Sequence, residues 1–352
     1  MEASVGPKVA IVVVNYRTPV LAAQCVAALE AEREALPDLR VVIVDGGSAD
    51  GSADRLREAL SQAAYHDWVE LLPLDMNGGF GWANNQAMLR LLQGDDPPDF
   101  IHLLNPDTEI QPGAVTRLTE FLLARPEVGA VGSQLLEPDG SPTGSAFTFP
   151  SISGELARGA RTGAISRLLG VRETALEPRE QPCEVDWATG ASVMFRTAAL
   201  KDSGLFDDGF FLYHEEVELM WRLRRAGWSI WHEPASRVKH VGGAATGVHS
   251  RPSIGAPRPR RPAYWYRSRR RFFALTGGRL AALSAGLGWV VGHLLWRIRS
   301  AVGLARKEGR VDRELGDQIR HSILPRGNDC RHAAPAIDTP PGELPAWSRW
   351  GL

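Results

Sequence analysis

The sequence predicts an α/β protein in which a doubly wound mixed sheet is flanked by helices and followed by a C-terminal helical extension. Three apolar runs, at 9–14, 41–44 and 100–104, each end in polar, turn-forming residues. Runs of this kind are typical of strands that are buried on both faces of a sheet. Helical segments are expected at 20–36 and 52–64. The alternation of strand and helix predicts a ligand crevice at the carboxyl ends of the strands.

Beyond these units the sequence predicts further helices and one irregular stretch. We expect helices over 81–92 and 113–125, a short strand at 129–132, and a helix from Glu215 to about Ala226. Residues 137–182 are rich in Gly, Pro, Ser and Arg, which predicts an irregular loop.

Composition and charge exclude some classes of protein. The 352 residues carry a formal net charge of −1, so we expect no nucleic-acid binding. No acidic residue lies between Glu233 and Glu308, whereas eight arginines lie at 251–271, which predicts a surface that meets anions. The three cysteines form neither a disulfide pattern nor a zinc motif, and no basic-then-apolar leader begins the chain. We therefore expect a cytoplasmic protein.

The tripeptide Asn105-Pro106-Asp107 follows the third apolar run directly. A carboxylate in this position lies at the carboxyl edge of the sheet, where open α/β sheets bind their ligands. One carboxylate there suits Mg²⁺ or Mn²⁺, which bind oxygen ligands and bridge to substrate phosphates. The tripeptide is also a good turn sequence, and by itself it leaves both interpretations open.

Several separate motifs occur in a fixed order along the chain. They are VVVNY at 12–16, VDGGSADGS at 44–52, NGGFGWANN at 77–85, LLNPD at 103–107, WATGA at 187–191, GLFD at 204–207 and FLYHEEVE at 211–218. Together they resemble the inverting family 2 glycosyltransferases of the GT-A fold, and most closely the rhamnosyltransferase-like branch of bacterial surface-polysaccharide synthesis. The resemblance covers about residues 8–245.

The resemblance implies a nucleotide-sugar site. It assigns nucleotide contacts to Asn15, Tyr16, Asp45, Asn77, Gly79, Phe80, Asn85 and Asn105, and it places Trp187, Gly190 and Ala191 near the donor sugar. Gly46 replaces the family's usual Asn. Turn capping by Asp45 and core packing by Trp187 are the structural alternatives.

The resemblance also implies a metal and a general base. Asp107 is the expected metal ligand, although Asn105 replaces the first Asp of the family's Asp-x-Asp motif. His240 is expected to help hold the metal or the diphosphate, and the alternative is a histidine of the core. Glu216 aligns with the family's base, an Asp, and Glu215 is the second candidate. Because acidic residues also favour the first turn of a helix, capping remains possible for both.

The resemblance implies a metal-dependent inverting hexosyltransferase of cell-wall polysaccharide biosynthesis. It would move a sugar, with rhamnose as the first choice, from a TDP- or UDP-sugar to a glycan or a lipid-diphosphate-linked acceptor. A non-catalytic carbohydrate- or nucleotide-sugar-binding scaffold of an assembly complex is the alternative. The sequence lacks both the Gly-rich basic loop of nucleotidyltransferases after the first strand and the Gln-x-x-Arg-Trp motif of processive synthases.

We expect four parts in the chain: a catalytic domain at 1–247, an Arg/Pro-rich linker at 248–262, a helical extension at 263–324 and a loose Pro-rich tail at 325–352. The extension contains a stretch without charged residues, 280–296, flanked by arginines. It could pack on the catalytic domain or in a homodimer, lie at a membrane surface, or span a membrane. Peripheral contact would place the protein at the inner face of the cell membrane.

Overall fold

The computed structural model describes residues 6–171, 175–242, 260–304, 311–324 and 330–349. Within these ranges the chain forms eleven β-strands and eleven α-helices. The strands are β1 (Val9–Asn15), β2 (Arg40–Asp45), β3 (Val69–Pro73), β4 (Phe100–Leu104), β5 (Thr108–Ile110), β6 (Val128–Leu136), β7 (Ala146–Phe147), β8 (Cys183–Glu184), β9 (Trp187–Ala188), β10 (Ser192–Arg196) and β11 (Ser229–His240). The helices are α1 (Pro19–Leu29), α2 (Ser52–Ala59), α3 (Phe80–Gln93), α4 (Ala114–Leu123), α5 (Ile152–Ala160), α6 (Gly163–Leu168), α7 (Thr197–Ser203), α8 (Glu215–Arg225), α9 (Ala263–Ala301), α10 (Glu314–Gln318) and α11 (Ala346–Arg349).

A central mixed sheet runs in the order β3-β2-β1-β4-β10-β6-β11-β5, with β8 paired to β11. The first four of these strands are parallel, and their register places Asn15 opposite Asp45. Residue 105 follows the end of β4 at the same edge of the sheet. The three apolar runs of the sequence therefore form adjacent strands, and their polar ends converge as predicted.

Helices cover both faces of the sheet. One apolar cluster joins the sheet to α1, α2 and α4, and it includes Cys25, which is buried as expected for a thiol on the inner face of α1. A second cluster joins the opposite face to α3, α7 and α8. This arrangement confirms the predicted α/β class and gives the strand ends a rigid support.

The stretch at 137–182 is more ordered than the sequence predicts. It contains β7, α5 and α6, so the expectation of an irregular loop is wrong there. Helix α5 begins where the Ser151 hydroxyl accepts a hydrogen bond from the Gly154 N–H group. Ala157, Gly159 and Ala160 are buried, and α5 packs against α9. In this stretch a serine caps a helix and a glycine allows two helices to cross closely, so its high Gly and Ser content does not indicate a loop.

Helix α9 consists of two helical segments that meet at Gly278, whose φ of 79° and ψ of 179° are not helical. The second segment crosses α5 at backbone contact distance. A β-carbon on Gly292 would lie 2.1 Å from the Leu156 carbonyl oxygen, and one on Gly159 would lie 2.2 Å from that of Trp289. By length and composition α9 could cross a membrane, although 28% of its most apolar stretch is buried against protein.

The described part of the tail, 330–349, packs along α3. The Gln93 amide donates hydrogen bonds to the carbonyl groups of Ile337 and Thr339, and the Trp82 indole donates to that of Glu343. The expectation of a loose tail is therefore wrong for these residues. The predicted linker residues 248–259, with Arg251 and Arg258, lie outside the described ranges. The division of the chain into four parts stays a prediction.

Candidate active site

A cavity of about 670 Å³ opens at the carboxyl ends of β1 and β4. Eleven residues predicted to act there line it: Tyr16, Asn77, Gly79, Phe80, Asn105, Asp107, Gly190, Ala191, Glu215, Glu216 and His240. Four predicted residues do not line it: Asn15, Asp45, Asn85 and Trp187. The structure therefore brings most of the predicted site together from five separate motifs.

Asn15 and Asp45 form a buried hydrogen-bond network at the ends of β1 and β2. The Asn15 side-chain amide donates to Asp45 Oδ1 at 2.7 Å, and the Ser48 hydroxyl donates to the same oxygen at 2.7 Å. Both side chains are buried, so this network fixes the two turns that border the cavity. The turn-forming alternative for Asp45 therefore matches the hydrogen bonds that the structure shows. Tyr16, which follows β1, faces the cavity.

Gly79 permits a close backbone approach between two loops. Its φ is +91°, and a β-carbon there would lie 1.9 Å from the Phe211 carbonyl oxygen. The N–H group of Phe80 donates a hydrogen bond to the same oxygen at 3.2 Å. Gly79 is the residue before the first turn of α3, so the start of this helix opens into the cavity.

Asn85 and Trp187 support the walls of the cavity from behind. The Asn85 amide nitrogen donates to the Phe206 carbonyl at 2.8 Å and to Asp208 Oδ1 at 2.7 Å. The Trp187 indole donates to the Thr148 carbonyl at 3.0 Å, and its ring stacks on Phe147. These contacts correspond to the packing alternative for Trp187.

Asp107, His240 and Asn105 form the polar floor of the cavity. Strands β5 and β11 pair so that His240 lies opposite the residue after Asp107. This register places His240 Nε2 3.2 Å from Asp107 Oδ1 and 3.4 Å from the Asn105 side-chain nitrogen. Within the described ranges no group of three or more His, Cys, Asp or Glu residues could hold a metal ion. Two such ligands and one amide suit an ion that a bound diphosphate also coordinates.

Glu215 and Glu216 form the first turn of α8 and face the cavity. One carboxylate oxygen of each, Oε2, is buried and has no hydrogen-bond partner among the described residues. Burial and the Glu216 charge hold the pKa of Glu215 well above its usual range, and burial also raises the pKa of Glu216. Backbone N–H groups at the start of the helix oppose both of these pKa shifts. Because the charge of Glu216 raises the pKa of Glu215, ionisation of one carboxyl group disfavours ionisation of the other.

Glu218, one helical turn further on, is engaged elsewhere. Its carboxylate accepts hydrogen bonds from the Arg222 guanidinium at 2.9 and 3.0 Å. This pairing between residues four apart in α8 removes Glu218 from the candidates for the base.

A strained turn presents the two carboxylates. Tyr213 and His214 both have positive φ, of 71° and 69°. Such a conformation costs on the order of 1–3 kcal/mol per residue, and it persists only where the surroundings enforce it. The Ser268 hydroxyl of α9 donates to the Leu212 carbonyl at 2.8 Å, which fixes the turn from outside. Strain at this point is typical of functional sites.

An internal ion pair ties α9 to the loop before this turn. The Arg271 guanidinium donates to Asp207 Oδ1 at 2.6 and 3.0 Å, and both side chains are buried. The N–H group of Ala333, in the tail, donates to the other oxygen of Asp207 at 2.8 Å. Sequence reasoning found Asp207 in the GLFD motif but not its partners, because they lie 64 and 126 residues away.

Sequence reasoning also missed part of the cavity wall. Phe211, Leu212, Tyr213 and Tyr264 line it, and Tyr264 belongs to α9, which the sequence placed outside the catalytic domain. The FLY motif at 211–213 was the available signal for the first three. No local pattern marks Tyr264 as part of the site.

Comparison with known proteins identifies the family of this chain. The sequence profile described as glycosyltransferase like family 2 matches residues 7–268. This chain belongs to glycosyltransferase family 2. Among curated relatives of this glycosyltransferase is the N-acetylglucosaminyl-diphospho-decaprenol L-rhamnosyltransferase of Mycobacterium tuberculosis. It is 33% identical over 222 residues, which span 59% of this chain and 68% of the relative.

Solved structures show the same fold at low sequence identity. One is the mannosyltransferase PcManGT of Pyrobaculum calidifontis, in complex with GDP-Man and Mn²⁺, with a TM-score of 0.51 at 15% identity. The matched region covers 86% of this chain and 79% of the PcManGT chain. GalNAc-T7 with UDP, GalNAc and Mn²⁺ has a TM-score of 0.53 at 14% identity, and the matched region covers 91% of this chain and 59% of the GalNAc-T7 chain. The expected GT-A type of α/β fold is confirmed.

Proposed function

We propose that this family 2 glycosyltransferase moves a sugar from a nucleotide diphosphate sugar to a hydroxyl group of a growing cell-surface glycan, with inversion at the anomeric carbon. One observation carries the proposal: two neighbouring glutamates, each with one buried carboxylate oxygen that has no hydrogen-bond partner among the described residues, share a cavity with Asp107 and His240. A site that only bound sugar would gain nothing from two buried, unpartnered carboxylate oxygens, because each costs desolvation free energy.

Glu216 is the general base in this proposal. Its carboxylate accepts the proton of the acceptor hydroxyl as that oxygen attacks the anomeric carbon. The bond between this carbon and the diphosphate oxygen breaks on the opposite face, which inverts the configuration. In this proposal Glu215, the more deeply buried member, carries a proton, and Glu216, which is partly exposed to the cavity, is ionised and accepts the proton of the acceptor hydroxyl.

Asp107 and His240 would hold Mg²⁺ or Mn²⁺, with Asn105 beside them. The ion supplies charge neutralisation on the leaving diphosphate. Tyr16 and Asn77 border the cavity where the nucleoside would lie, and the start of α3 at Gly79 faces the diphosphate. The Mn²⁺ in the two solved glycosyltransferases supports divalent metal use here.

The Mycobacterium tuberculosis relative is named for rhamnose transfer to a lipid-diphosphate acceptor. We propose the same classes for this chain, with TDP-rhamnose as the first donor and UDP-sugars next. A panel of nucleotide sugars, read by thermal shift and then by turnover on an N-acetylglucosaminyl diphosphate lipid, tests the proposal. Transfer from one donor supports it. Donor binding without turnover under all conditions would instead indicate the scaffold alternative.

We further propose that the enzyme works at the inner face of the cell membrane. The outward face of the second segment of α9 is apolar, and its exposed residues are Leu280, Leu283, Leu287, Val291, Leu294, Leu295 and Ile298. Arg279 and Arg297 are exposed near the two ends of this face. An apolar strip between basic residues suits an anionic lipid surface.

A further inference from the structure

Three aromatic side chains line the cavity on the side of the carboxylate pair. They are Phe211 and Tyr213, in the loop before α8, and Tyr264, in the first turn of α9. The ring centroids of Phe211 and Tyr264 are 5.1 Å apart, and those of Tyr213 and Tyr264 are 6.1 Å apart. All three side chains are only half-buried, so they form a surface and not part of a closed core.

Contacts behind this cluster hold it in place. The ring of Trp347, from the tail, meets Phe211 edge to face at 5.2 Å, and its indole donates to the Gly78 carbonyl at 2.9 Å. The hydrogen bond from Ser268 to the Leu212 carbonyl fixes the backbone between Phe211 and Tyr213. The chain therefore uses two distant segments, α9 and the tail, to fix a half-exposed aromatic surface.

The position of this aromatic cluster in the cavity indicates which ligand it contacts. Tyr16 and Asn77 border the cavity at the ends of β1 and β3, which is the nucleotide side of the proposed site. Tyr213 lies two residues before Glu215 in the chain. A molecule that presents a hydroxyl group to Glu216 therefore meets the cluster. Aromatic faces suit the C–H surface of a pyranose ring, and tyrosine hydroxyl groups add hydrogen bonds.

We propose that Phe211, Tyr213 and Tyr264 form the subsite for the acceptor sugar, the pyranose whose hydroxyl group Glu216 deprotonates. This assignment rests on the proposed function. It identifies the ligand of a part of the cavity wall to which no sequence motif assigns a role. It also gives the tail a role, because Trp347 supports Phe211 from outside the cavity.

Replacement of Tyr264 tests the subsite. With an N-acetylglucosaminyl diphosphate lipid as acceptor, Tyr264→Ala and Tyr264→Leu should raise the acceptor KM about 3- to 10-fold, the scale of an aromatic contact. Donor affinity should stay at the wild-type value, because the donor binds on the nucleotide side of the cavity in the proposed site. Tyr264→Phe, which keeps the ring, should change the acceptor KM less than either.

Tyr65→Ala is the matched control, since Tyr65 is also half-buried and pairs with an aromatic ring, that of Trp68, away from the cavity. Its acceptor KM should equal that of the wild type. An unchanged acceptor KM in Tyr264→Ala and Tyr264→Leu, with normal donor turnover, would refute the subsite and leave the proposed function intact. Loss of donor affinity in both would assign Tyr264 to the donor side and refute the subsite as well. A wild-type enzyme that turned over no donor would refute the proposed function itself.

Discussion

At the scale of single residues, the two carboxylates of α8 differ in surroundings although they are neighbours in the sequence. Glu215 is 3% exposed, and Glu216 is partly exposed to the cavity. Burial raises the pKa of both carboxyl groups, and we assign the proton to Glu215, the more buried member, and the ionised state to Glu216. This division, which no sequence pattern contains, favours Glu216 as the base.

The raised pKa of Glu215 predicts a pH-dependent effect on stability. A carboxyl group whose folded pKa lies above its unfolded value stabilises the fold below the unfolded pKa, and this contribution is lost as the pH rises through the folded pKa. Glu215→Gln cannot ionise, so its melting temperature relative to wild type should rise between pH 5 and pH 8. Glu58→Gln, at an exposed position of α2, is the control. A relative melting temperature that does not change with pH would contradict the assignment.

The candidate metal ligands around Asp107 predict cooperative binding of metal and nucleotide. Two protein ligands and one amide leave most coordination positions to the diphosphate. Calorimetry should detect weak Mn²⁺ binding to the protein alone and at least about 10-fold tighter binding with TDP or UDP present. Asp107→Ala should abolish this gain. Equal Mn²⁺ affinity with and without nucleotide would contradict a shared site, and full transfer activity in EDTA would exclude metal dependence.

At the scale of elements, the sequence predicted the units that depend on local patterns. Strands β1, β2 and β4 follow from their apolar runs, and α3 and α8 follow from helical segments flanked by turn residues. The structure departs from prediction where distant contacts decide. Helix α5 packs against α9 through Gly159. The described part of the tail, 330–349, is held by hydrogen bonds from the Trp82 indole to the Glu343 carbonyl and from the Trp347 indole to the Gly78 carbonyl. No window of local sequence contains those partners.

The helix crossing predicts a sharp difference between two glycines of α9. A β-carbon at Gly292 would meet the Leu156 carbonyl oxygen at 2.1 Å, whereas the nearest atom at Gly288 is 3.4 Å away. Gly292→Ala should therefore lower the free energy of unfolding by about 1–3 kcal/mol, as overpacking does. Gly288→Ala should be neutral or slightly stabilising, because Ala favours helix. Chemical denaturation of both variants provides the comparison, and equal effects would contradict the observed crossing.

At the scale of the whole molecule, exposed apolar surface is concentrated on one helix. The interval from Pro234 to Lys307 has no acidic residue, but Arg260, Arg269 and Arg271 pair with carboxylates of other segments, so the predicted anion-binding surface is wrong for these arginines. Within this interval the second segment of α9 turns leucine side chains outward. Contiguous exposed apolar surface of this kind is unusual for a monomer in water. The same helix supplies Tyr264 to the cavity, so docking through α9 would bring the active site close to a lipid-linked acceptor.

The apolar face of α9, with the exposed Arg279 and Arg297 near its ends, predicts binding to anionic vesicles. Flotation with phosphatidylglycerol vesicles should recover the wild-type protein at low salt and less of it at high salt, because screening weakens attraction worth about 1 kcal/mol per basic residue. The double variant Leu287→Glu, Leu294→Glu should lose binding, and Leu123→Glu, at an exposed position of α4, should retain it. A wild type that ignores vesicles, together with a double variant that loses a dimer, would make this face a homodimer contact.

The most direct test of the account compares Glu216→Gln with Glu215→Gln in single-turnover transfer and in donor binding. The account predicts that Glu216→Gln binds the donor normally and transfers sugar about 10²- to 10⁴-fold more slowly, as expected for a lost general base. Glu215→Gln, which resembles the protonated state of that residue, should lose less. Transfer at the wild-type rate by Glu216→Gln, or a larger loss in Glu215→Gln than in Glu216→Gln, would contradict the assignment of Glu216 as the base.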